Sequence, residues 1–112
     1  LTILGLGGNQ FRTVPPEVAN MTNLTRLSLR KNKISALPSW IGDLSRLSTL
    51  SIDGNSLESL PVELGLLKNL SIFDFDHQMR SPAQEVIGKG TAYLMEYLRK
   101  MLEAKFSGSV DL

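Results

Sequence analysis

Residues 24–46 read LTRLSLRKNKISALPSWIGDLSR, and this 23-residue stretch decides the fold. The same frame of leucines, one asparagine and one proline precedes it from Leu1 and follows it from Leu47, without an insertion. A fourth copy opens at Leu70 and soon loses the pattern. A fixed period of 20 to 50 residues is the signature of a repeat protein, in which stacked units bury one continuous core. We therefore predict an array of coils over residues 1–80.

Each repeat predicts one short strand with one buried face. In the second repeat Leu27 and Leu29 alternate with polar residues, which is the period of a half-buried strand. Asn32 follows, where a buried amide can satisfy backbone groups of neighbouring coils that otherwise lack partners. Its counterparts are Asn9 and Asn55. The return segments are predicted to bury Phe11, Ile34, Leu57, Val14, Leu37, Leu60, Val18, Ile41 and Leu64.

These motifs resemble the leucine-rich repeat family. The segment LPSWIGDL at residues 37–44 resembles the intracellular 23-residue class of that family. The resemblance implies an α/β solenoid with a short parallel sheet on its concave face and a helical C-terminal cap. Leu1 stands in full repeat register, so we expect further coils before it.

The segment 81–106 is predicted to close the array with two helices. Ser81-Pro82-Ala83-Gln84 has the form of a capping box, with Ser81 as N-cap and Gln84 reaching back to it. Gly90 is expected to separate this short helix from a second one capped by Thr91. An apolar stripe on the second helix is expected to cover the last coil, namely Leu94, Met95, Leu98, Met101, Leu102 and Phe106. Residues 107–112 form a tail or begin a further segment.

Composition excludes several classes of function. The chain has 112 residues, of which 42% are hydrophobic and 21% charged, a balance typical of globular folds. A formal net charge of +1 disfavours a nucleic-acid partner, and no apolar run approaches the roughly 20 residues of a membrane span. With no cysteine and one histidine, disulfides, thiolate metal sites and cysteine nucleophiles are excluded. We expect no cofactor.

Two motifs look like reactive sites and are interpreted otherwise. The glycines between Gly5 and Gly8 occupy variable places of the repeat and lack the strand and helix that flank a nucleotide-binding loop. Asp74, Asp76 and His77 lack a nucleophile or a third convergent metal ligand. We therefore predict a non-enzymatic chain whose last strand has a solvated or partner-facing acidic edge.

Function is expected on the concave face, at strand residues that alternate with the buried leucines. Residues 1–46 carry six basic and two acidic groups, whereas residues 47–84 carry two basic and five acidic groups. A field that changes sign along one surface can orient a complementary partner, and simple solvation is the alternative. The predicted partner-binding residues are Arg26, Ser28, Arg30, Lys31, Lys33, Thr49, Ser51, Asp53, Asp74, Asp76 and His77. The same face is predicted to include Ile3, Gly5, Gly7, Gly8, Gln10, Gly54, Ser56, Ile72 and Met79.

The segment from Ser81 to Leu102 also resembles the one that ends many Ras-group and ROCO-type arrays. This resemblance implies a cytoplasmic signalling scaffold that binds a small GTPase, a phosphatase or a kinase, by analogy at the level of the fold. Two alternatives stay open. In the first, the chain is the recognition segment of a multidomain ROCO-type GTPase and kinase. In the second, it is an extracellular receptor ectodomain, because N-x-(S/T) glycosylation sequons begin at Asn20, Asn23 and Asn69. A cysteine-free helical cap favours the intracellular location.

Overall fold

A computed structural model describes residues 2–77, 79–80 and 82–107. Four strands form one parallel sheet in the order of the sequence: β1 (Ile3–Gly5), β2 (Arg26–Ser28), β3 (Thr49–Ser51) and β4 (Ile72–Asp74). The residues that pair across neighbouring strands lie one repeat apart, as Leu4 with Leu27 and Leu27 with Leu50. Because the register equals the sequence period, the predicted solenoid with a short parallel sheet is confirmed.

The return segments are short 3-10 helices whose N-caps are the repeated prolines Pro15, Pro38 and Pro61. They span Pro16–Asn20 (η1), Ser39–Asp43 (η2) and Val62–Leu66 (η3). In the second repeat Pro38 has an extended backbone, with φ −73° and ψ 154°, because its ring fixes φ and turns the chain into the helix. The backbone N–H of Leu44 then donates to the Ile41 carbonyl at 3.3 Å and closes the turn. Both of these side chains are fully buried, as the repeat pattern predicts.

The side chains of Asn32, which is buried, and Asn55, which is half-buried, form a ladder between coils. The Asn32 side-chain amide donates to the carbonyls of Leu6 and Leu29, both at 3.0 Å, and more weakly to Arg30. Its oxygen accepts the backbone N–H of Phe11 at 3.2 Å. Asn55 repeats this arrangement one coil later. The predicted structural role is confirmed for Asn32 and Asn55. Asn9 is exposed, and among the described residues its side chain bonds only Leu6 of its own coil, so the predicted buried contact between coils is wrong for this first asparagine.

The ladder changes at the fourth coil. Gln78, which follows Asn55 in the repeat, lies outside the described residues. The carboxylate of Asp76 instead accepts the backbone N–H groups of Gly54 at 2.9 Å and Asn55 at 3.1 Å. Met79 is 5% exposed and belongs to the core, so its predicted place on the concave face is wrong. The physical reason is that a decayed repeat no longer alternates in step with the three before it.

The C-terminal cap consists of helices α1 (Gln84–Ile87) and α2 (Thr91–Ser107), and α2 packs against η3. Its apolar stripe is buried at Leu94, Met95, Leu98 and Leu102. Met101 was predicted to belong to this stripe, but it is 37% exposed because it lies at the margin of the buried face. The side chain of Phe106 lies outside the described residues.

The predicted capping box is wrong. Ala83 is the N-cap of α1 and makes no side-chain cap hydrogen bond. Gln84 is the first helical residue, and its amide donates to the carbonyls of His77 at 2.6 Å and Met79 at 2.9 Å. Ser81 itself lies outside the described residues. The glutamine therefore joins the cap to the last coil instead of closing its own helix.

Two glycines at the same position of successive repeats allow close packing. A Cβ atom on Gly42 would lie 2.6 Å from the Glu63 carbonyl oxygen in η3. A Cβ atom on Gly65 would lie 2.6 Å from the Arg99 backbone nitrogen in α2. The helix α2 thus approaches η3 as closely as η3 approaches η2.

One ion pair also holds the cap. The Lys105 ammonium lies 2.9 Å from the Glu63 carboxylate, and this hydrogen bond lowers the pKa of Glu63 below its usual 4.5. A carboxyl group with a depressed pKa stabilises the fold above its unfolded pKa, and this contribution is lost as the pH falls through the folded value. The cap is therefore held less firmly in acid.

We expect Glu63→Gln to cost less than about 1 kcal/mol at neutral pH, since one partner of the pair is exposed. The variant should also lose less stability than the parent between about pH 5 and pH 3. Urea denaturation across this range measures both effects. Glu17→Gln is the matched control, because Glu17 holds the same place in η1, is exposed and has no ion pair with a described residue. Parallel pH profiles for the parent and Glu63→Gln would show that the pair contributes nothing.

Candidate functional site

The concave face is built from strand residues whose neighbours point into the core. The strand register aligns them in rows across the sheet. One row contains Ile3, Arg26, Thr49 and Ile72, and the next contains Gly5, Ser28, Ser51 and Asp74. The two isoleucines, on the outer strands, are 59% and 52% exposed, so this face has an exposed apolar side chain at each end.

The basic part of the face lies on the second coil. Arg26, Lys31 and Lys33 are exposed and form no ion pair with any residue that the structure describes. We call these three residues the basic cluster. Their positive charges are free to meet a ligand, because no carboxylate of the described chain neutralises them directly.

Arg30 differs from the basic cluster, because it is already paired. Its Nε atom lies 3.1 Å from each carboxylate oxygen of Asp53 on the next coil, and it donates to Oδ2. Asp53 Oδ1 is buried and receives no hydrogen bond from the described residues. The ion pair lies at the point where the surface changes sign. Sequence reasoning missed it, although opposite charges one repeat apart are a usable signal.

The acidic part of the face comprises Asp53, Asp74 and Asp76. Asp74 is exposed and accepts the Ser51 hydroxyl at 3.4 Å. Asp76 is half-buried and bonded to the backbone of the preceding coil, so it holds the loop in place. Of the three, Asp74 presents the most accessible carboxylate, and the role of Asp76 toward a partner stays a prediction.

His77 lies between two open hollows at the end of the sheet. Its ring is 4.7 Å from that of Phe75, which stacks on Phe73 at 4.5 Å. The first hollow, about 520 Å³, is lined by Asn55, Ser56, Leu57, Glu58, Asp76 and His77. The second, about 440 Å³, is lined by Arg30, Asp53, Phe73, Asp74, Phe75 and His77. Sequence reasoning did not single out these two phenylalanines, which are buried in the core and line the second hollow.

The described part of the face contains no cluster of metal-ligating side chains. Within the described ranges, no three His, Asp or Glu side chains are grouped closely enough to hold a metal ion. Nor does any helix among the described residues combine the length and the apolar character that crossing a membrane requires. The concave face offers instead a wide surface of charged and polar groups with shallow hollows, which suits contact with another protein.

Comparison with known proteins agrees with this architecture. A family model described as leucine rich repeat matches residues 1–57. A solved structure of a leucine-rich repeat protein from Leptospira interrogans superposes with a TM-score of 0.67 at 38% sequence identity. That match covers 80% of this chain and 23% of the other, so the chain spans about a quarter of that protein.

In total 29 chains of solved structures match, whereas a comparison with curated proteins finds no match. The family model covers just over half of the chain, and the parallel sheet repeats at the interval that the sequence motif sets. The chain therefore belongs to the leucine-rich repeat family.

Proposed function

We propose that this chain is a non-enzymatic interaction module that binds a protein partner through its concave face. Leucine-rich repeat domains are in general protein-interaction modules. The observation that carries the proposal for this chain is the basic cluster, whose charges are free, beside an acidic surface on the following coils. Complementary charge steers association and selects among partners more than it raises affinity.

The kind of partner follows from the resemblance to Ras-group arrays. We propose an intracellular signalling scaffold, located in the cytoplasm, whose partner is a small GTPase, a phosphatase or a kinase. What supports this proposal is the 23-residue motif and the absence of cysteine from the whole chain, which includes the helical cap. This resemblance is shared by a whole family, so a test of the face must not depend on which of these partners binds.

Site-directed photo-crosslinking tests the face directly. The chain contains no cysteine, so one introduced cysteine carries the crosslinker to a single position. Ser51→Cys places it in the middle of the concave face, and Ser45→Cys places it on the exposed turn after η2. We expect a specific protein adduct from the first position and not from the second. Equal adducts from both positions, or none from Ser51→Cys, would contradict the concave-face assignment.

Charge reversal of the basic cluster gives a quantitative prediction. Arg26→Glu with Lys33→Glu should weaken partner binding about tenfold at low salt, mainly through slower association. The defect should shrink as added salt shortens the screening length. Binding kinetics at two salt concentrations measure this. Arg30 is left unchanged, because reversal there would set two carboxylates side by side against Asp53.

Asp43→Lys, on the convex side, is the control for this charge reversal. Asp43 is exposed at the end of η2, so its replacement should leave both association rate and stability close to those of the parent. Equal losses from the concave and convex changes would contradict the concave-face assignment.

A further inference from the structure

The second coil has a lysine at a backbone position where the neighbouring coils have glycine. Three equivalent positions follow the strands, and the chain has a left-handed backbone at each, with φ +74° at Gly8, +56° at Lys31 and +76° at Gly54. Glycine adopts this region without steric cost, whereas a side chain makes it unfavourable. Lys31 is the one non-glycine residue with positive φ in the part of the chain that the structure describes.

The folded structure gains nothing visible from the lysine side chain. Lys31 is exposed, and its ammonium has no ion pair with a described residue. The backbone N–H of Lys31 donates to the Asp53 carbonyl at 3.0 Å, a bond that glycine would keep. The next coil makes room for it, because a Cβ atom on Gly54 would lie 3.1 to 3.2 Å from Lys31 backbone atoms and its Cγ. When no contact within the fold offsets the backbone strain of a residue, that strain points to a function.

We propose that Lys31 lowers the stability of the fold through its strained backbone and contributes to binding through its side chain. Its ammonium recognises a carboxylate of an acidic segment in a protein partner. The proposal rests on the proposed concave-face function and names the chemistry of the partner. Arg26 and Lys33 are exposed on the same coil and supply the remaining positive charge. A partner segment that carries one or two carboxylates is complementary to this cluster.

The neighbouring coils limit what the cluster accepts. Asp74, the most accessible carboxylate of the face, lies two strands away, at about 4.8 Å per strand, and the whole chain has a net charge of only +1. A long polyanion such as a nucleic acid would extend from the basic cluster onto this carboxylate and be repelled there. A short acidic segment followed by a basic group meets the opposite charge at both places.

The experiment uses a synthetic peptide with two glutamates, a glycine and two lysines as the probe. NMR titration of the labelled chain should shift the backbone signals of Arg26, Lys31 and Lys33. Lys31→Gly should bind the peptide at least threefold more weakly at low salt, while its Tm rises by about 2 to 5 °C. Lys31→Gln should lose the same affinity without the rise in Tm, because it removes the charge and keeps the strain.

A charge swap is the matched control. In Gly8→Lys with Lys31→Gly the net charge and the strained lysine are both retained, but the lysine moves one coil away. Gly8 tolerates this, since a Cβ atom there meets no atom within 4 Å. We expect the swap variant to return to the parental Tm and to keep the weakened binding.

The proposal would be overturned if the parent did not bind the peptide, if the swap variant bound it as well as the parent, or if Lys31→Gly lowered the Tm. Tighter binding of a single-stranded DNA oligonucleotide than of the peptide would also overturn it. None of these depends on the crosslinking result at Ser51. A crosslinked partner that binds parent and Lys31→Gln equally would leave the concave-face function standing and remove this inference alone.

Discussion

Leu98→Asp is expected to detach the C-terminal cap and to lower the free energy of unfolding by more than about 4 kcal/mol. Leu98 is 1% exposed and lies in the middle of the face of α2 that packs on η3. A Cβ atom on Gly65 would lie 2.8 Å from the Leu98 carbonyl carbon, so the helix has no room to move aside while it stays packed. An aspartate there must be protonated, buried unpaired or expelled together with the helix.

Thermal unfolding followed by circular dichroism measures this effect. The parent should unfold in one cooperative transition, and Leu98→Asp should lose that cooperativity. Met101→Asp is the control, since it places the same charge on the same helix at a side chain that is 37% exposed. It should cost less than about 1 kcal/mol, as exposed substitutions usually do. A Leu98→Asp variant that melts like the parent would contradict the packing of α2 on the last coil.

Asn32→Ala is expected to cost about 1 to 3 kcal/mol, because alanine removes the acceptor of the Phe11 N–H group and the amide donor to the preceding coil. The carbonyls of Leu6 and Leu29 keep a second donor each, from Asn9 and Asn55. The lost contacts join two coils, since the amide bonds Leu6 and Leu29 and the oxygen accepts from Phe11. The loss should be felt by the array as a whole, because each coil is stabilised only by its neighbours.

Asn9→Ala is the matched substitution one repeat earlier. Asn9 is exposed and donates one side-chain hydrogen bond, to Leu6 at 2.9 Å, so its loss should cost under about 1 kcal/mol. Urea midpoints with unchanged slopes provide the comparison. Equal costs at Asn9 and Asn32 would mean that the ladder contributes through the turn alone and does not connect the coils.

The fold of the repeats was predictable because one period controls several levels of structure. The alternation at Leu27 and Leu29 predicts the strand, and the interval of 23 residues predicts its register, as the pairing of Leu27 with Leu50 shows. The cap was less predictable. A capping box depends on backbone dihedral angles that the Ser-Pro-Ala-Gln motif does not determine. The Gln84 amide instead donates hydrogen bonds to carbonyls of the last coil.

The candidate site was predictable in its placement and not in its internal contacts. Strand alternation located Arg26 and Asp74 on the concave face, because successive side chains of a strand point to opposite faces and the neighbouring leucines point to the core. The pairing of Arg30 with Asp53 depends on side-chain conformations across two coils. The backbone role of Asp76 arises where the repeat decays, and the left-handed conformation of Lys31 is masked in the sequence by a residue type that rarely adopts it.

The equivalent contacts of Gly42 and Gly65 have a consequence for how this architecture changes in length. Each glycine receives the backbone of the element that follows it, and that element is a repeat helix in one case and the cap helix in the other. The cap thus occupies the interface that a further repeat would use. If a whole 23-residue repeat were duplicated or deleted, the cap would meet the same surface of a repeat helix. Coils can therefore be added or lost one at a time while the terminal helix stays unchanged.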